Sequence, residues 1–286
     1  MKVANIRQEG MAMKSMEATI TAEEETLVVR RLSISDKERA LKHVDTSKVS
    51  STLVTLMQRG AELDPKQMVM AEQFRLLRTR VKTLNKDLKL RTILVTSALP
   101  GEGKTTVAAN LAGSLSRIEG LRVLLVDFDL RRPCLHTIFG VETEMRSPSA
   151  LDGKMPWQDA IYRTDPGLDI LFGFQPLEEP DHLLQSSRLE TLLEEFKAEY
   201  DLVILDSAPM LAVADTHSLV PLVDCGIFVL SADTTPISAA KEALTMLRDK
   251  VAGCVVNRVT RLKSEDYYRN SGYGYGYGYG SKKTEN

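Results

Sequence analysis

The strongest constraint on the fold of this chain is an alternation of apolar, β-branched runs with helical segments, which begins at residue 91. Each run is short and almost continuously apolar, and segments of helical composition such as 104–118 and 237–251 separate most of them. Strands of this kind are buried on both faces, and helical crossovers join parallel strands. The pattern therefore predicts a three-layer α/β domain with a mostly parallel sheet. The expected strands are 92–96, 122–127, 168–172, 202–206, 226–231 and 252–256.

Composition excludes several classes of function. The 286 residues are 43% hydrophobic, which suffices for a large core, and a net charge of −2 provides no basic field for nucleic acid. Cys134, Cys225 and Cys254 form no CxxC pair, so no disulfide framework and no zinc or iron–sulfur site is expected. The first residues lack the apolar core of a signal peptide, and no run reaches the roughly 20 apolar residues that cross a bilayer. We expect a cytoplasmic chain with no direct membrane span and no nucleic-acid partner.

Three regions are expected along the chain. Residues 1–63 are charged and weakly periodic, and we interpret them as an N-terminal extension of unknown role. Short helices are expected there at 33–43 and 46–60. Residues 64–262 form the α/β domain, and residues 263–286 form a flexible tail.

The α/β domain is expected to open with a helix that Asp64 caps and that carries Pro65 in its first turn. Its apolar residues recur at steps of three and four and form one stripe, which is predicted to pack on the domain. The stripe consists of Met70, Phe74, Leu77, Val81, Leu84 and Leu88.

A glycine-rich loop, SALPGEGKTT, follows the strand at 92–96 and precedes a helix. In this order the backbone amides around Gly101 and Gly103 are placed to bind phosphate oxygens, Lys104 supplies a positive charge, and the Thr105 hydroxyl can bind Mg²⁺. The strict pattern would have glycine where this chain has Ala98. The alternative, a glycine turn before a structural helix, is less consistent with this order. The residues predicted to bind nucleotide here are Gly101, Glu102, Gly103, Lys104, Thr105 and Thr106.

Aspartates follow two of the predicted strands at the edge where α/β sheets bind ligands. Asp206 ends the strand at 202–206, and Asp127 and Asp129 lie two residues apart after the strand at 122–127. We expect Thr105, Asp127 and Asp206 to bind Mg²⁺ and Asp127 to accept the proton of an attacking hydroxyl. For Asp129 the alternative of capping a turn stays open.

The C-terminal tail displays phenols on a glycine-rich segment. Six of the eight tyrosines lie in the last twenty residues, and the glycines between them prevent a packed core. Beside a nucleotide-phosphate site, the tail suggests a kinase that carries its own substrate. The predicted phosphorylation sites are Tyr267, Tyr268, Tyr273, Tyr275, Tyr277 and Tyr279.

Together, PGEGKTT, LLVDFDLRRP, VILD and the tyrosine-rich tail resemble the bacterial tyrosine kinases, in particular the soluble CpsD/CapB type that regulates exopolysaccharide synthesis. The resemblance implies a P-loop NTPase with a deviant Walker A motif, of the ParA/MinD-like superfamily, that uses ATP and Mg²⁺ to phosphorylate its own tail. It assigns catalytic roles to Lys104, Asp127 and Asp129, and an adenine contact to Asn257.

The same resemblance implies partners. Glu72, Arg75 and Arg78 match the family's ExxRxxR helix, which mediates a ring, octameric by resemblance, in which each tail enters a neighbour's site; a plain i,i+3 ion pair is the alternative. A membrane-embedded activator resembling polysaccharide co-polymerases would recruit the kinase to the inner face of the membrane, and a tyrosine phosphatase would oppose it.

Three other functions remain open at this point. A ParA/MinD-type positional ATPase usually has a signature lysine where this chain has Leu99. An iron–sulfur carrier ATPase would need the CxxC pair that is absent. The third is a scaffold gated by ATP, whose tail only makes contacts.

Overall fold

The computed structural model describes residues 2–4, 42–45, 48–54, 63–142, 148–151, 155–165, 167–173, 176, 180–184 and 187–259. The six tail tyrosines lie outside the described residues. The strands, in chain order, are β1 (Lys2–Ala4), β2 (Lys42–His43), β3 (Thr92–Ser97), β4 (Val123–Phe128), β5 (Ile161–Arg163), β6 (Asp169–Leu171), β7 (Leu202–Ser207), β8 (Cys225–Ser231) and β9 (Val251–Asn257).

The helices, in chain order, are α1 (Pro65–Leu88), α2 (Lys104–Leu115), α3 (Leu135–Ile138), α4 (Pro148–Leu151), α5 (Pro180–Leu184), α6 (Ser187–Glu199), α7 (Asp215–Leu219) and α8 (Ile237–Met246). Four of the described helices, α3, α4, α5 and α7, are short, with four or five residues each. Within the part of the chain that the structure describes, no helix combines the length and the apolar character needed to cross a bilayer.

The described strands form one sheet in the order β1-β9-β8-β3-β7-β4-β6-β5-β2. All neighbours are parallel except β1 with β9 and β5 with β6. The prediction of a mostly parallel sheet is therefore confirmed. The central strands β3, β4 and β7 are buried at every position, as their continuous apolar sequences predict.

Helices cover both faces of the sheet, so the three-layer prediction is also confirmed. Alternate residues of a strand face opposite sides, and the core is divided accordingly. Ile93 and Val95 pack with α1 and α2 on one side. Leu94 and Leu124 pack with α6 and α8 on the other.

The leading helix α1 has the predicted start. The Asp64 carboxylate accepts hydrogen bonds from the N–H groups of Lys66 and Gln67, and the Gln67 side chain accepts one from the Asp64 N–H, which completes a capping box. Its buried stripe runs through Phe74 and onward. The prediction was wrong for Met70, which is 38% exposed, whereas its neighbour Ala71 is buried in the core at this turn of the helix.

Parts of the N-terminal region belong to the folded domain. Lys42–His43 is a strand paired with β5 rather than the end of a helix, and residues 48–54 form turns. Leu53 and Val54 are fully buried in the core that α1 and α2 share. At these described positions the structure has a strand and turns instead of the expected helices, because burial of a few apolar residues outweighs a weak local periodicity. The rest of both expected helices, at 33–41, 46–47 and 55–60, lies outside the described residues.

Candidate active site

A cavity of about 660 Å³ opens at the carboxyl ends of the central strands. Its wall combines the loop after β3, the loop after β4 and the loop after β7. Cations and small residues dominate the lining, which consists of Pro100, Gly101, Gly103, Lys104, Thr105, Thr106, Asp129, Arg131, Arg132, Cys134, Ile138, Ala208, Pro209, Ala212, Val213 and Arg258. Most residues of the predicted phosphate-binding loop therefore share one cavity with Asp129.

The loop after β3 needs glycine at two positions. Gly101 and Gly103 have φ angles of 80° and 95°, in the left-handed region that other residues avoid. A Cβ at Gly103 would lie 2.1 Å from Nδ2 of Asn257, so a larger residue would also displace that side chain. The 12-residue helix α2 begins directly afterwards at Lys104 and directs its N-terminal amides toward the cavity end of the loop.

Lys104 forms a buried ion pair across the cavity floor. Its Nζ donates to Oδ2 of Asp129 at 3.0 Å and to Oγ1 of Thr105 at 3.3 Å. Burial lowers the pKa of Lys104, but the charges of Asp206 and Asp129 outweigh it, so the pKa is raised and the ammonium stays protonated. The site thus holds a fixed positive charge suited to phosphate.

Asp127 is engaged by the backbone of its own loop. Its Oδ2 accepts hydrogen bonds from the N–H groups of Cys134 and Leu135, each at 3.0 Å, and its Oδ1 accepts one from Asp129 N at 3.3 Å. Burial, and then the charge of Asp206, raises the pKa of Asp127. Asp127 therefore closes the turn that leads into α3, besides any part it has in chemistry.

Asp206 is different, because both of its carboxylate oxygens are buried and lack a hydrogen-bond partner among the described residues. Burial raises its pKa to about 6, opposed by the charge of Lys104 and by the nearby Thr105 hydroxyl, which does not meet hydrogen-bond geometry with either oxygen. An orphaned carboxylate beside the Thr105 hydroxyl fits a bound cation. Among the described residues, no group of three or more His, Cys, Asp or Glu side chains is arranged to hold a metal ion.

Cys134 also lies in this cavity, although the sequence, which has no CxxC pair, predicted no site at this residue. Its thiol donates to Oγ1 of Thr105 at 3.5 Å. Burial raises the pKa of Cys134 to about 11, so the thiol stays protonated. Its position directly after LRRP was the available signal, because that segment continues the loop of Asp127.

Arg131 joins two walls of the cavity. Its Nε and Nη2 donate to the two oxygens of Asp215 at 2.8 and 2.9 Å, and the Asp215 side chain is buried. This bidentate pair ties the loop after β4 to the start of α7, beyond the loop after β7. The sequence does not predict this pair, because Arg131 and Asp215 lie 84 positions apart.

Comparison with known proteins decides the family. The CobQ/CobB/MinD/ParA nucleotide binding domain matches residues 93–271. Tyrosine-protein kinase YwqD of Bacillus subtilis is 36% identical over 217 residues, which cover 74% of this chain and 91% of YwqD. The chain belongs to the bacterial tyrosine kinases.

Solved structures agree with this family and fold. The chimerical protein CapA2B2 superposes with a TM-score of 0.65 at 27% identity, covering 76% of this kinase and 93% of that chain. The septum site-determining protein MinD of Pyrococcus horikoshii, complexed with Mg-ADP, gives a TM-score of 0.50 at 28% identity, covering 60% and 72%. The kinase is therefore a nucleotide-binding P-loop protein of the ParA/MinD-like type, as predicted.

The predicted interface residues of the kinase lie on α1 in two settings. Glu72 and Arg75 are exposed and form an ion pair with each other at 2.6 Å. Arg78 instead turns toward its own chain, where its Nη1 donates to the Ser114 carbonyl of α2 at 3.1 Å. The exposed face of α1 also carries the apolar side chains of Met68, Val69 and Leu76.

Two residues predicted to bind nucleotide do not line the cavity. The Glu102 side chain is buried on the outer side of the loop, and Asn257 at the end of β9 donates from Nδ2 to the Glu102 carbonyl at 3.0 Å. Arg258, the next residue, does line the cavity. The adenine contact predicted for Asn257 stays a prediction.

Proposed function

We propose that this kinase uses ATP and Mg²⁺ to phosphorylate the six tyrosines of its own tail, with each tail served by the site of a neighbouring subunit. The observation that carries the proposal is the pairing of an orphaned, buried Asp206 with a fixed Lys104 charge at the floor of a phosphate-binding loop. A cation site and an anion site that adjoin in this way suit a nucleotide with bound Mg²⁺.

Different residues of the site would bind the phosphate groups and the Mg²⁺ ion. Amides of the loop from Gly101 to Thr105 would bind phosphate oxygens, and Thr105 and Asp206 would hold Mg²⁺. Bound Mg²⁺ would neutralise the charge of the phosphate groups. Lys104 would exchange part of its contact with Asp129 for the transferring phosphate, and Arg132 and Arg258 add positive charge at the cavity wall.

The proton of the phenol needs an acceptor. In the transfer, the tyrosine oxygen bonds to the terminal phosphorus, the bond from that phosphorus to the departing ADP oxygen breaks, and the phenolic proton leaves. We assign the proton to Oδ1 of Asp127, whose single hydrogen bond in the described residues is a long one. Burial raises the pKa of Asp127, which increases the basicity of its carboxylate.

The outward face of α1 supports the oligomer. Met68, Val69 and Leu76 are 58%, 41% and 42% exposed, and they flank the Glu72–Arg75 ion pair. Apolar side chains around an exposed ion pair are suited to a subunit interface with a second copy of this chain. From the family resemblance, we extend this interface to an octameric ring in which subunits phosphorylate one another in trans.

The biological role follows from the resemblance alone. We propose that the kinase regulates exopolysaccharide or capsule synthesis at the inner face of the membrane. A membrane-embedded, co-polymerase-like activator would recruit it there, and a tyrosine phosphatase would remove the phosphate from its tyrosines. The structural likeness to a chimerical protein, CapA2B2, supports the involvement of an activating partner.

Labelled ATP and Mg²⁺ test the proposed activity on the purified full chain, alone and with the cytoplasmic segment of the activator. We expect label on tail tyrosines that Lys104→Met abolishes and that Arg122→Met, a change in an exposed ion pair, leaves in place. Mixing Lys104→Met protein with an active chain whose tail tyrosines are all Phe tests transfer in trans. Hydrolysis of ATP with no label on tyrosine, with the activator segment present, would favour the positional ATPase instead.

A further inference from the structure

Thr235 is connected to the phosphate-binding loop, although it lies far away in sequence. It stands between β8 and α8, where its N–H donates to the Ser231 carbonyl at 3.1 Å and its Oγ1 accepts from the Ser231 N–H at 2.8 Å. The Thr235 hydroxyl then donates to Oε1 of Glu102. Because the turn fixes the position of the oxygen, its proton is directed to the carboxylate.

Glu102 receives this bond as the buried anchor of the loop. The residue is only 2% exposed, and its other oxygen, Oε2, accepts from the Leu99 N–H at 2.8 Å. A buried carboxylate requires donors, and these two satisfy one oxygen each. Its carbonyl is held separately by Asn257. The side chain thus holds the loop together from outside the cavity.

The loop needs such an anchor, because Glu102 lies between Gly101 and Gly103. These two glycines have no side chain with which to fix their left-handed conformations. The direction of the amides that face the cavity then depends on what holds the residue between them.

We propose that Thr235 is a positioning residue for nucleotide binding, which acts through Glu102 to hold the loop amides in the arrangement that accepts phosphate. The proposal rests on the proposed use of this loop for ATP. It requires no contact of Thr235 with the nucleotide, and Thr235 does not line the cavity.

Thr235→Val tests the hydroxyl, because it removes the donor and keeps the size of the side chain. We expect the affinity of the full chain for a fluorescent ADP analogue with Mg²⁺ to fall about tenfold, as for loss of a hydrogen bond to a charged group. Thr235→Ser should restore it. In autophosphorylation the KM for ATP should rise, while kcat at saturating ATP stays near that of the wild type. Thr245→Val, which removes an exposed hydroxyl from α8, is the matched control.

A double-mutant cycle separates positioning from a general effect on the fold. Glu102→Ala should weaken ADP binding, and adding Thr235→Val to it should cause little further loss. Losses that multiply, or wild-type ADP affinity in Thr235→Val, would overturn the proposal. If Thr235→Val does not fold, Glu102→Gln is tested in its place, and the proposal then requires that Glu102→Gln weakens ADP binding. Because ADP binding is read without phosphate transfer, failure to label tyrosine would count against the proposed function and leave this inference standing.

Discussion

Asp127 and Asp206 are paired residues on the adjacent strands β4 and β7, yet their carboxylates have opposite surroundings. Three backbone N–H groups donate to Asp127, whereas the oxygens of Asp206 have no hydrogen-bond partner in the described part of the chain. The first carboxylate holds a loop, and the second is available to a cation. Substitutions at the two positions should therefore differ in their effect on stability.

Asp206→Asn should stabilise the nucleotide-free protein at neutral pH and inactivate it. The pKa of Asp206 rises from 3.8 to about 6 on folding, so the folded state binds this proton more tightly, and stability falls as the pH rises through that window. At about 1.4 kcal/mol per pKa unit, the ionised group costs about 3 kcal/mol at pH 7.5. Denaturant unfolding at pH 7.5 and pH 5 should show the gain shrinking at the lower pH. Equal gains at both values would contradict the assignment.

Asp127→Ala and Asp127→Asn should separate the loop from the chemistry. Alanine leaves the N–H groups of Cys134 and Leu135 without an acceptor and should lower the free energy of unfolding by about 1–3 kcal/mol. Asparagine keeps a carbonyl oxygen there and should lower it much less. Both should lose autophosphorylation, because neither accepts a proton. Activity retained in the Asn variant would show that Asp127 is not the acceptor.

Lys104→Met should destabilise the nucleotide-free kinase as well as inactivate it. The change leaves Asp129 and Asp206 buried without their cation, and breaking a buried ion pair on one side costs about 3 kcal/mol or more. Thermal unfolding compares the melting temperature of Lys104→Met with that of the control Lys241→Met, which changes an exposed lysine on α8. A melting temperature equal to that of the wild type would mean that the ion pair contributes little before nucleotide binds.

Leu53→Ala should show that residues 48–54 belong to the domain. Leu53 is fully buried in the core beneath α1 and α2, and truncation of such a leucine costs about 3 kcal/mol. Ser51→Ala, at an exposed position two residues earlier, is the control. Unfolding in urea compares the two. If Leu53→Ala hardly changed the free energy of unfolding, residues 48–54 would be a separate extension and not part of the domain.

Leu76→Glu should weaken self-association of the kinase. A charge in place of an apolar side chain beside the Glu72–Arg75 pair should cost at least about 2 kcal/mol at a central interface position, or roughly 30-fold in affinity. Light scattering after size exclusion, with activator present, compares it with Thr191→Glu on the exposed side of α6. Assemblies of equal size in both would exclude this face of α1.

The sequence was informative where local chemistry decides the structure. Continuous apolar runs located β3, β4 and β7, and Asp64 and Pro65 located the start of α1. Prediction failed where distant contacts decide. The strands β2 and β5 have only two and three residues, too few for a recognisable pattern, and they exist because they pair. The periodicity of α1 included Met70, but at this turn the structure buries Ala71 instead.

The candidate site shows the same division. Spacing identified the loop residues and all three aspartates, because strand ends in a parallel sheet share one edge. It did not distinguish the roles of Asp127 and Asp206, since both end apolar strands and only the surrounding amides differ. Nor did it find Thr235, whose contact with Glu102 spans 133 positions and has no local signal.

The hydrogen bonds of Asp127 bear on how relatives of this kinase should be recognised. A descendant that had lost phosphate transfer would still need an acceptor for the two amides that open α3, so selection on folding alone would retain an aspartate or asparagine there. Asp206, whose oxygens have no hydrogen-bond partner among the described residues, would drift to a neutral residue once it no longer had to hold the cation that we propose for it. The residue near the end of β7 is therefore a better marker of a working enzyme than the paired aspartates that usually attract attention.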